Sequence, residues 1–301
     1  MEQRNIVVIG SSNTDLVVKT ARIPEHGETV TGGTFMMTAG GKGANQAVAV
    51  ARLGGHVGFV AKVGDDLFGR QAISQYIKEG LDVSYVRRDT QCPSGVALIT
   101  VDQNGENCIA VAPGANARLN KEDIDAAKRL IFAAHYILMQ LETPMEIIQY
   151  VADQAYAKGI KVILNPAPMA PLSDELLRKL YLITPNKTET RQLTGIQVET
   201  LEDADAAADV LLAKGVQNVV ITLGSQGSFV KGSVPAELVP AHNVPALDTT
   251  GAGDTFSGAL CVALSEDKNL AQAVRFATQA SAISVTRMGA QASMPYRREL
   301  K

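Results

Sequence analysis

The sequence predicts an α/β fold, with a doubly wound, mostly parallel open sheet flanked by helices and a small β-sheet lid. Short apolar runs without polar alternation recur along the chain, and such runs are typical of strands buried on both faces of a parallel sheet. Helical patterns separate these runs, and some end in a lysine followed by glycine, as at Lys158-Gly159 and Lys214-Gly215. Regular alternation of strand and helix favours an open sheet with helices on both faces.

The predicted elements follow one another along most of the chain. Strands are predicted at residues 6–9, 57–63, 136–141, 161–164, 182–184 and 218–222. Helices are predicted at residues 44–53, 67–79, 121–134, 144–158, 204–214, 254–264 and 270–285. We expect these elements to form one α/β domain that binds nucleotide and sugar, made of residues 1–14, 39–91 and 113–301.

Two segments interrupt the alternation. Residues 16–38 are extended and show no helical period, and residues 94–112 contain two strand patterns joined by a turn with Asn104-Gly105, a strong hairpin signal. The segments form either two surface hairpins or one small sheet over an edge of the α/β domain, where an insertion can act as a lid. We favour the lid and assign residues 15–38 and 92–112 to it.

Charge, cysteine and histidine content argue against several classes of function. The net charge of -3 does not suit a nucleic-acid or anionic-membrane partner. The three cysteines are far apart without a CxxC pattern, and the four histidines form no ligand pair, so a zinc site or a Ser-His or Cys-His nucleophile has little support. The first residues do not resemble a secretory leader, and no apolar run approaches the roughly 18 residues of a membrane span. We therefore expect a cytoplasmic protein whose chemistry depends on carboxylates, backbone amides and bound cations.

Polar residues follow several of the predicted strands. In an open parallel sheet, ligands bind outside the carboxyl ends of the strands. The polar positions after the strands are residues 10–15, Glu142, residues 185–189 and residues 223–227. Each position alone is also typical of a turn or a helix cap, but together they predict a rim of amides, hydroxyls and carboxylates.

A glycine-rich segment at residues 39–46 opens a predicted helix. Its glycines would let the backbone approach a ligand closely, and Lys42 and Asn45 would bring donors to it. The segment is not a Walker A loop, because Lys42 is followed by Gly43 rather than by Ser or Thr. The first strand is not followed by GxGxxG, so a dinucleotide site is not supported either. On spacing alone, a glycine-rich helix start without function remains the alternative.

Residues 248–256 are the most informative segment. Gly251, Ala252 and Gly253 leave a turn without large side chains before an apolar helix, and the free amides and dipole of a helix start favour negative charge. Asp254 is either an ordinary acidic residue of the first turn or the carboxylate that accepts a proton during phosphoryl transfer to a hydroxyl. The helix dipole alone should lower the pKa of Asp254 and make it a weak base.

These two segments carry a resemblance to a known family. Residues 40–45 and 248–256, in that order and at that separation, are similar to the signatures of the ribokinase-like, phosphofructokinase-B type carbohydrate kinase family, and the likeness runs from residue 6 to about residue 293. The resemblance implies that ATP phosphorylates D-ribose at O5 to give ribose 5-phosphate and ADP. It also implies a homodimer in which the β lids clasp each other.

The resemblance implies a role for each matching residue. Asp254 would be the base, and Gly251, Ala252 and Gly253 would form the anion hole. The sugar would be bound by Asn13, Thr14, Asp15, Gly41, Lys42, Gly43, Ala44, Asn45, Glu142 and Asp254. The nucleotide would be lined by Asn186, Thr222, Leu223, Gly224, Ser225, Gln226, Gly227, Gly253 and Thr278, the last at a place where the family often has Asn or His.

The resemblance further implies two bound cations. Glu189 would help to hold Mg²⁺ through water. A potassium ion would lie beside the anion hole, mostly on backbone carbonyls, and its matching positions are Asp248, Thr250, Ser284, Arg287, Gly289 and Ser293.

Three other interpretations stay open. A kinase of the same fold would act on 2-deoxyribose, fructose or a nucleoside. A catalytically silent sugar-binding or regulatory protein would keep the fold, but the intact turn at residues 251–254 counts against it. A nucleotide-dependent oxidoreductase is disfavoured because GxGxxG is missing.

Overall fold

The computed structural model describes residues 5–300. The start of the predicted domain at residue 1, its end at residue 301 and the expectation about a secretory leader concern positions outside these described residues. No helix within residues 5–300 is long and apolar enough to cross a membrane.

The described chain forms strands that divide into two sheets. In chain order the strands are β1 (Ile6–Ile9), β2 (Asn13–Lys19), β3 (Thr34–Gly40), β4 (Val57–Gly64), β5 (Asp82–Asp89), β6 (Gly95–Val101), β7 (Asn107–Ala112), β8 (Tyr136–Met139), β9 (Lys161–Leu164), β10 (Leu182–Ile183), β11 (Val219–Thr222), β12 (Ser228–Lys231) and β13 (Glu237–Val239).

The helices lie between strands of the larger sheet, singly or in consecutive pairs, and the last pair follows the last strand. They are α1 (Lys42–Arg52), α2 (Leu67–Lys78), α3 (Lys121–Ala126), α4 (Lys128–Phe132), α5 (Met145–Ala157), α6 (Asp174–Leu177), α7 (Lys187–Thr194), α8 (Leu201–Ala213), α9 (Ala252–Ser265) and α10 (Leu270–Ser284).

The larger sheet is mostly parallel, which confirms the predicted fold class. Its strands lie in the order β13-β12-β11-β10-β9-β8-β1-β4-β5, and only β12 and β13 pair antiparallel to their neighbours. In the central strand β1, Ile6 and Val8 face one hydrophobic core, and Val7 and Ile9 face the other. The first core is closed by α1, α9 and α10, and the second by α5 and α8. All four β1 side chains are thus buried, as the unbroken apolar run predicts.

The two interrupting segments join into a single small sheet. Its order is β3-β2-β6-β7, with β2 parallel to β6 and the outer pairs antiparallel. The prediction of one small sheet is therefore confirmed over that of two separate hairpins. Asn13 and Gly40 pair where β2 and β3 leave the α/β layers, so the small sheet begins directly beside the carboxyl end of β1.

Some elements differ from the sequence prediction. The strands β5, β12 and β13 were not predicted. β5 and β13 lie at the two edges of the sheet and are half-exposed, so they lack the apolar run of a central strand. β12 is buried, but its sequence Ser-Phe-Val-Lys has only two successive apolar residues. The predicted helix at residues 121–134 is two short helices, α3 and α4, which meet at Ala127.

Arg52 ties α1 to the end of α2 through a buried ion pair and to the chain beyond α10 through hydrogen bonds. Arg52, the last residue of α1, pairs with Glu79 at 2.6 Å, and both side chains are about 90% buried, with exposures of 10% and 8%. Arg52 also donates to the carbonyls of Gln291 at 2.5 Å and Met294 at 3.1 Å. Replacing Arg52 by methionine should lower the free energy of unfolding by about 3–5 kcal/mol, because the buried charge of Glu79 would keep only its hydrogen bond from Gln75 and lose its cationic partner. Urea unfolding measures this change.

The matched control is the exposed pair of Arg275 and Glu237, whose side chains are 55% and 37% exposed. Arg275→Met should cost less than about 1 kcal/mol, since water screens such pairs. Equal losses of unfolding free energy in the two variants would contradict the larger contribution expected of the buried pair.

Candidate active site

Two adjoining cavities lie at the carboxyl ends of the parallel strands. The larger, about 700 Å³, lies between the turn after β11 and helices α9 and α10. The smaller, about 220 Å³, lies between the loops after β9 and β10 and the start of α9. Asn186, Thr222 and Gly253 line both, so a molecule that fills one cavity can reach into the other.

Helix α9 begins with a glycine turn that no side chain caps. Its N-cap, Gly251, has a φ of +74°, and a Cβ there would lie 3.0 Å from the Cα of Ala290, so conformation and packing both require glycine. A Cβ on Gly253 would meet nothing within 4 Å, so this residue borders open space. Gly251, Ala252 and Gly253 line the cavities, and the Ala252 amide donates to the Thr249 carbonyl at 3.2 Å. The dipole of α9 favours an anion at this helix start.

Asp254 lies in this first turn and is buried. Its Oδ2 accepts a hydrogen bond from Asn45 Nδ2 at 2.9 Å, and its Oδ1 accepts one from Gln46 Nε2 at 3.0 Å. Burial raises the pKa of Asp254 above its ordinary value, although Lys42 and the two amides oppose the rise and Glu142 adds to it. The direction is opposite to the one predicted from the helix dipole, because loss of water outweighs the dipole. A raised pKa makes Asp254 a stronger base than an ordinary aspartate.

Asp15 and Glu142 bring two further carboxylates to the same end of the sheet. Glu142 Oε2 accepts the backbone N–H of Lys42 at 2.9 Å and a short hydrogen bond from the Ser11 hydroxyl. Burial raises the pKa of Asp15 to about 6, with Glu142 and Asp254 adding to the rise and Lys42 opposing it. Asp15 is therefore ionised at neutral pH and takes up a proton as the pH falls through about 6. An ionised carboxylate is an acceptor only, which suits a ligand that presents hydroxyl groups.

The glycines at the start of α1 pack against the chain's own backbone. Gly41 has a φ of +87°, and a Cβ there would lie 2.6 Å from the amide nitrogen of Asn13. A Cβ on Gly43 would lie 2.5 Å from the amide nitrogen of Ser11. Close packing on the turn after β1 thus requires glycine at both positions, so neither needs a ligand to explain it.

The residues predicted to line the nucleotide gather around the larger cavity, with one exception. The exception is Gln226, whose exposed side chain accepts a hydrogen bond from Lys187 at 2.7 Å. Thr278 lies in the cavity wall and is 6% exposed, and its hydroxyl has no hydrogen-bond partner among residues 5–300. The other members of the predicted set line the cavity: Asn186, Thr222, Leu223, Gly224, Ser225, Gly227 and Gly253.

Glu189 lines the smaller cavity, as Asp254 does. Its Oε2 accepts the backbone N–H of Asn186 at 2.8 Å, within the cap of α7. Burial raises the pKa of Glu189, although the Asn186 hydrogen bond and Lys42 oppose this. No group of three acidic, histidine or cysteine side chains within residues 5–300 is placed to hold a metal directly. A single carboxylate beside a cavity suits Mg²⁺, which keeps most of its waters and binds phosphate oxygens.

The predicted potassium residues surround the loop before α9. Asp248 Oδ1 accepts from the Thr250 amide at 2.9 Å and hydroxyl at 2.6 Å, and its Oδ2 accepts from the Gly289 amide at 2.7 Å. Burial would raise the pKa of Asp248, but these hydrogen bonds outweigh it and the pKa is lowered. Ser284 and Ser293 direct their hydroxyls to backbone carbonyls, at 2.8 and 2.7 Å. An anionic carboxylate oxygen suits a hard cation. At Asp248 both carboxylate oxygens already accept hydrogen bonds, from Thr250 and from Gly289.

Three of the residues predicted to bind the sugar do not direct a side chain toward the carboxylates of Asp15, Glu142 and Asp254. Thr14 lies between Asn13 and Asp15 on β2, and successive side chains of a strand point to opposite faces. Gly43 and Ala44 are buried, and their amides donate to the Ser11 hydroxyl at 3.2 Å and the Ser11 carbonyl at 2.8 Å. The sugar-binding roles of these residues stay predictions.

A buried amide network behind Asp254 was missed by the sequence prediction. Gln46, Gln140, Asn165 and Gln291 link to one another or to Asn45 through side-chain hydrogen bonds. In the sequence, these residues are distinguished only by lying inside or beside a predicted strand or a segment predicted to bind a ligand. A polar residue at such a position is equally typical of a solvated strand end.

Comparison with known proteins identifies the family of this arrangement. Residues 3–297 match the family described as pfkB family carbohydrate kinase. A ribokinase of Haemophilus influenzae is 42% identical over 297 residues, which cover 99% of this chain and 97% of that protein. A deoxyribokinase of Salmonella typhimurium is 38% identical over 292 residues, 97% of this chain and 95% of that protein.

A solved structure shares the whole fold. The structure of an Arabidopsis thaliana ribokinase in complex with ribose and ATP superposes with a TM-score of 0.91 at 34% sequence identity, covering 100% of this chain and 98% of that one.

Proposed function

This chain belongs to the pfkB family of carbohydrate kinases, and we propose that it transfers the γ-phosphoryl group of ATP to O5 of D-ribose. The products are ribose 5-phosphate and ADP. The observation that carries the proposal is the position of Asp254, which lies in the first turn of α9, borders the smaller cavity and has Asp15 and Glu142 as electrostatic neighbours. The base, the anion site and the sugar site thus adjoin one another.

The proposed step needs one proton acceptor and one site for the charge of the transferred group. Asp254 accepts the proton of the ribose 5-hydroxyl while O5 forms its bond to the γ-phosphorus. The bond between that phosphorus and the bridging oxygen breaks, and ADP leaves with the electron pair. The amides at Gly251, Ala252 and Gly253 would stabilise the charge of the transferred group, and their positions are fixed before the reaction begins.

The sugar would be held by acceptors that match its hydroxyl groups. Asn13 and Asp15, from β2, together with Glu142, would offer these oxygens. Glu142 and Asp254 both act electrostatically on Asp15, so the three carboxylates lie near one another. The Asn13 amide is itself oriented by Asn116, whose Nδ2 donates to Asn13 Oδ1 at 2.7 Å. Orientation before binding lowers the entropy lost when the sugar is ordered.

Two cations complete the proposal. Glu189 would hold Mg²⁺ through water, and the ion would supply positive charge that neutralises the phosphate oxygens. Asp248, Thr250, Ser284, Arg287, Gly289 and Ser293 would hold K⁺ beside the turn at residues 248–251. Asp248 already links this turn to Gly289, so its carboxylate supports the anion site from outside.

The small sheet is proposed to be both lid and dimer clasp, with residues 15–38 and 92–112 as the lid. Apolar side chains are exposed on both of its faces. Phe35, Met37 and Leu98 share one face and are 61%, 47% and 54% exposed, and Ile109 and Val111 lie on the other with 52% and 55% exposed. Contiguous exposed apolar patches mark interaction sites more often than isolated apolar residues do. The cytoplasmic location stays a prediction.

An ADP-release assay with a panel of pentoses and hexoses tests the function. We expect D-ribose to give the highest kcat/KM of the panel, and removal of K⁺ to lower the rate. The specific alternative is 2-deoxyribose, favoured by the similarity to the Salmonella deoxyribokinase. A strong preference for 2-deoxyribose would replace the proposed substrate, and no ADP release with any sugar would remove the kinase function itself.

A further inference from the structure

Two consecutive residues of α1 hold the two oxygens of Asp254. Asn45 donates to Oδ2 at 2.9 Å and Gln46 donates to Oδ1 at 3.0 Å. Asp254 lies 209 and 208 residues away from them along the chain, so the contact is made by the packing of α1 on α9. The two donors approach different oxygens of the carboxylate and therefore fix its rotation as well as its position.

The Gln46 amide has all its polar groups engaged. One N–H binds Asp254, and the other binds Asn165 Oδ1 at 3.1 Å. Its oxygen accepts a hydrogen bond from Gln140 Nε2 at 2.6 Å. A reversed amide would present its oxygen to the Asp254 carboxylate and its NH₂ to the Gln140 NH₂, so the donor must face Asp254.

One partner of Gln46 is held by a further hydrogen bond and the other by packing, since the side-chain oxygen of Gln140 has no hydrogen-bond partner among residues 5–300. Asn165 Nδ2 donates to the carbonyl of Thr184 at 3.2 Å, which leaves its oxygen free to accept from Gln46. Gln140 is fully buried and lies against Gly10, where a Cβ would come within 2.1 Å of the Gln140 side-chain oxygen. Glycine at position 10 thus makes the room that the Gln140 amide occupies.

We propose that Gln46 is a positioning residue for phosphoryl transfer, which holds the Asp254 carboxylate in one orientation and in its ionised state through an amide fixed by Gln140 and Asn165. The inference rests on the proposed function, in which Asp254 is the base. Gln46 does not border either cavity, so its effect on the reaction passes through Asp254.

Loss of the Gln46 amide should shift the pKa of Asp254 in one direction only. A donated N–H stabilises the ionised carboxylate, so loss of Gln46 should raise the pKa of Asp254 further. The base must be ionised to accept the ribose proton, so the acid limb of the kcat profile should move to higher pH. The other charged groups around Asp254 stay unchanged in such a variant: Lys42 on α1, Asp15 on β2, Glu142 after β8 and Glu189 on α7.

The test is Gln46→Met, which nearly conserves volume and removes the amide. We expect kcat at neutral pH to fall about 10- to 100-fold, the range for one hydrogen bond to a charged group. The acid limb of kcat should move up by about one pH unit, and KM for ribose should stay within about threefold of the original enzyme's. Unchanged kcat and an unmoved acid limb would overturn the proposal.

The matched control is Gln149→Met on the surface of α5, where Gln149 also donates to an aspartate, Asp153, at 2.8 Å. It should leave kcat and the pH profile unchanged. Gln140→Met is the second variant, for the case that Gln46→Met does not fold. It leaves Gln46 in place without its anchor and should move the acid limb in the same direction by a smaller amount; no movement would count against the proposal.

Asp254→Asn distinguishes failure of this inference from failure of the proposed function. If Asp254→Asn keeps its kcat, Asp254 is not the base and both proposals fall. If Asp254→Asn loses its activity while Gln46→Met keeps both kcat and its acid limb, only the positioning role of Gln46 falls. A general loss of stability in Gln46→Met would lower the active fraction but would not move the acid limb.

Discussion

Asp254→Asn should lower kcat by about 10³-fold or more while the protein still binds ribose and ATP, on the scale of losing a general base. The asparagine amide has nearly the same shape but accepts no proton at neutral pH. The expected loss lies in kcat rather than in KM, because Asp254 acts when the proton leaves the 5-hydroxyl. Steady-state ADP release gives kcat, and calorimetric titration gives the dissociation constants of ribose and ATP.

The neighbours of Asp254 require a second variant. Asn45 and Gln46 donate to different oxygens, so one of them would face the NH₂ of an asparagine at position 254. Asp254→Ala removes this repulsion and should show the same loss of kcat. Asp153→Asn, on the surface of α5, is the control and should behave as the original enzyme. Turnover retained in both Asp254 variants would remove this carboxylate from the mechanism.

The central strands could be predicted because the sequence pattern that specifies each of them lies within the strand itself. In β1, four apolar residues in succession specify a strand buried on both faces, and the structure has this strand at Ile6–Ile9. The helix α7 was missed although its start was present in the sequence. Asn186 and Glu189 have the N-x-x-E spacing of a capping box, and their side chains form that box in the structure.

The residues of the candidate site also divide into those that could be predicted from the sequence and those that could not. The carboxylates Asp15, Glu142 and Asp254 could be expected at one rim, since each follows a strand or opens a helix at the carboxyl edge of the sheet. The alternation of side chains along a strand could also have predicted that Thr14 points to the face opposite to that of Asn13 and Asp15. The amide network could not be predicted, because the contact from Gln140 to Gln46 spans 94 residues and that from Gln291 to Asn45 spans 246. No local pattern distinguishes a buried amide with a distant partner from a solvated one.

Lys42→Met should lower kcat by about 10²- to 10³-fold, the loss expected when one donor to the developing charge is removed. Lys42 lines the smaller cavity together with Gly253 and Glu189. Its ammonium is absent from the ion pairs among residues 5–300, yet it lowers the pKa values of Asp254, Glu189 and Asp15 against the effect of burial. A cation that faces a cavity among carboxylates is available to a phosphate group.

The same variant separates two roles for Lys42. Methionine keeps the backbone N–H that Glu142 accepts, so the start of α1 should stay in place and only the charge is removed. Loss of kcat with KM for ribose little changed would mean that the ammonium acts in the transition state; a rise in KM alone would mean that it binds the ground state. Lys42→Arg should recover part of the rate because it restores the charge, whereas Lys158→Met at the end of α5 should have no effect. Without the ammonium, the neighbouring carboxylates lose the charge that favours their ionised forms, so the acid limb should also move to higher pH.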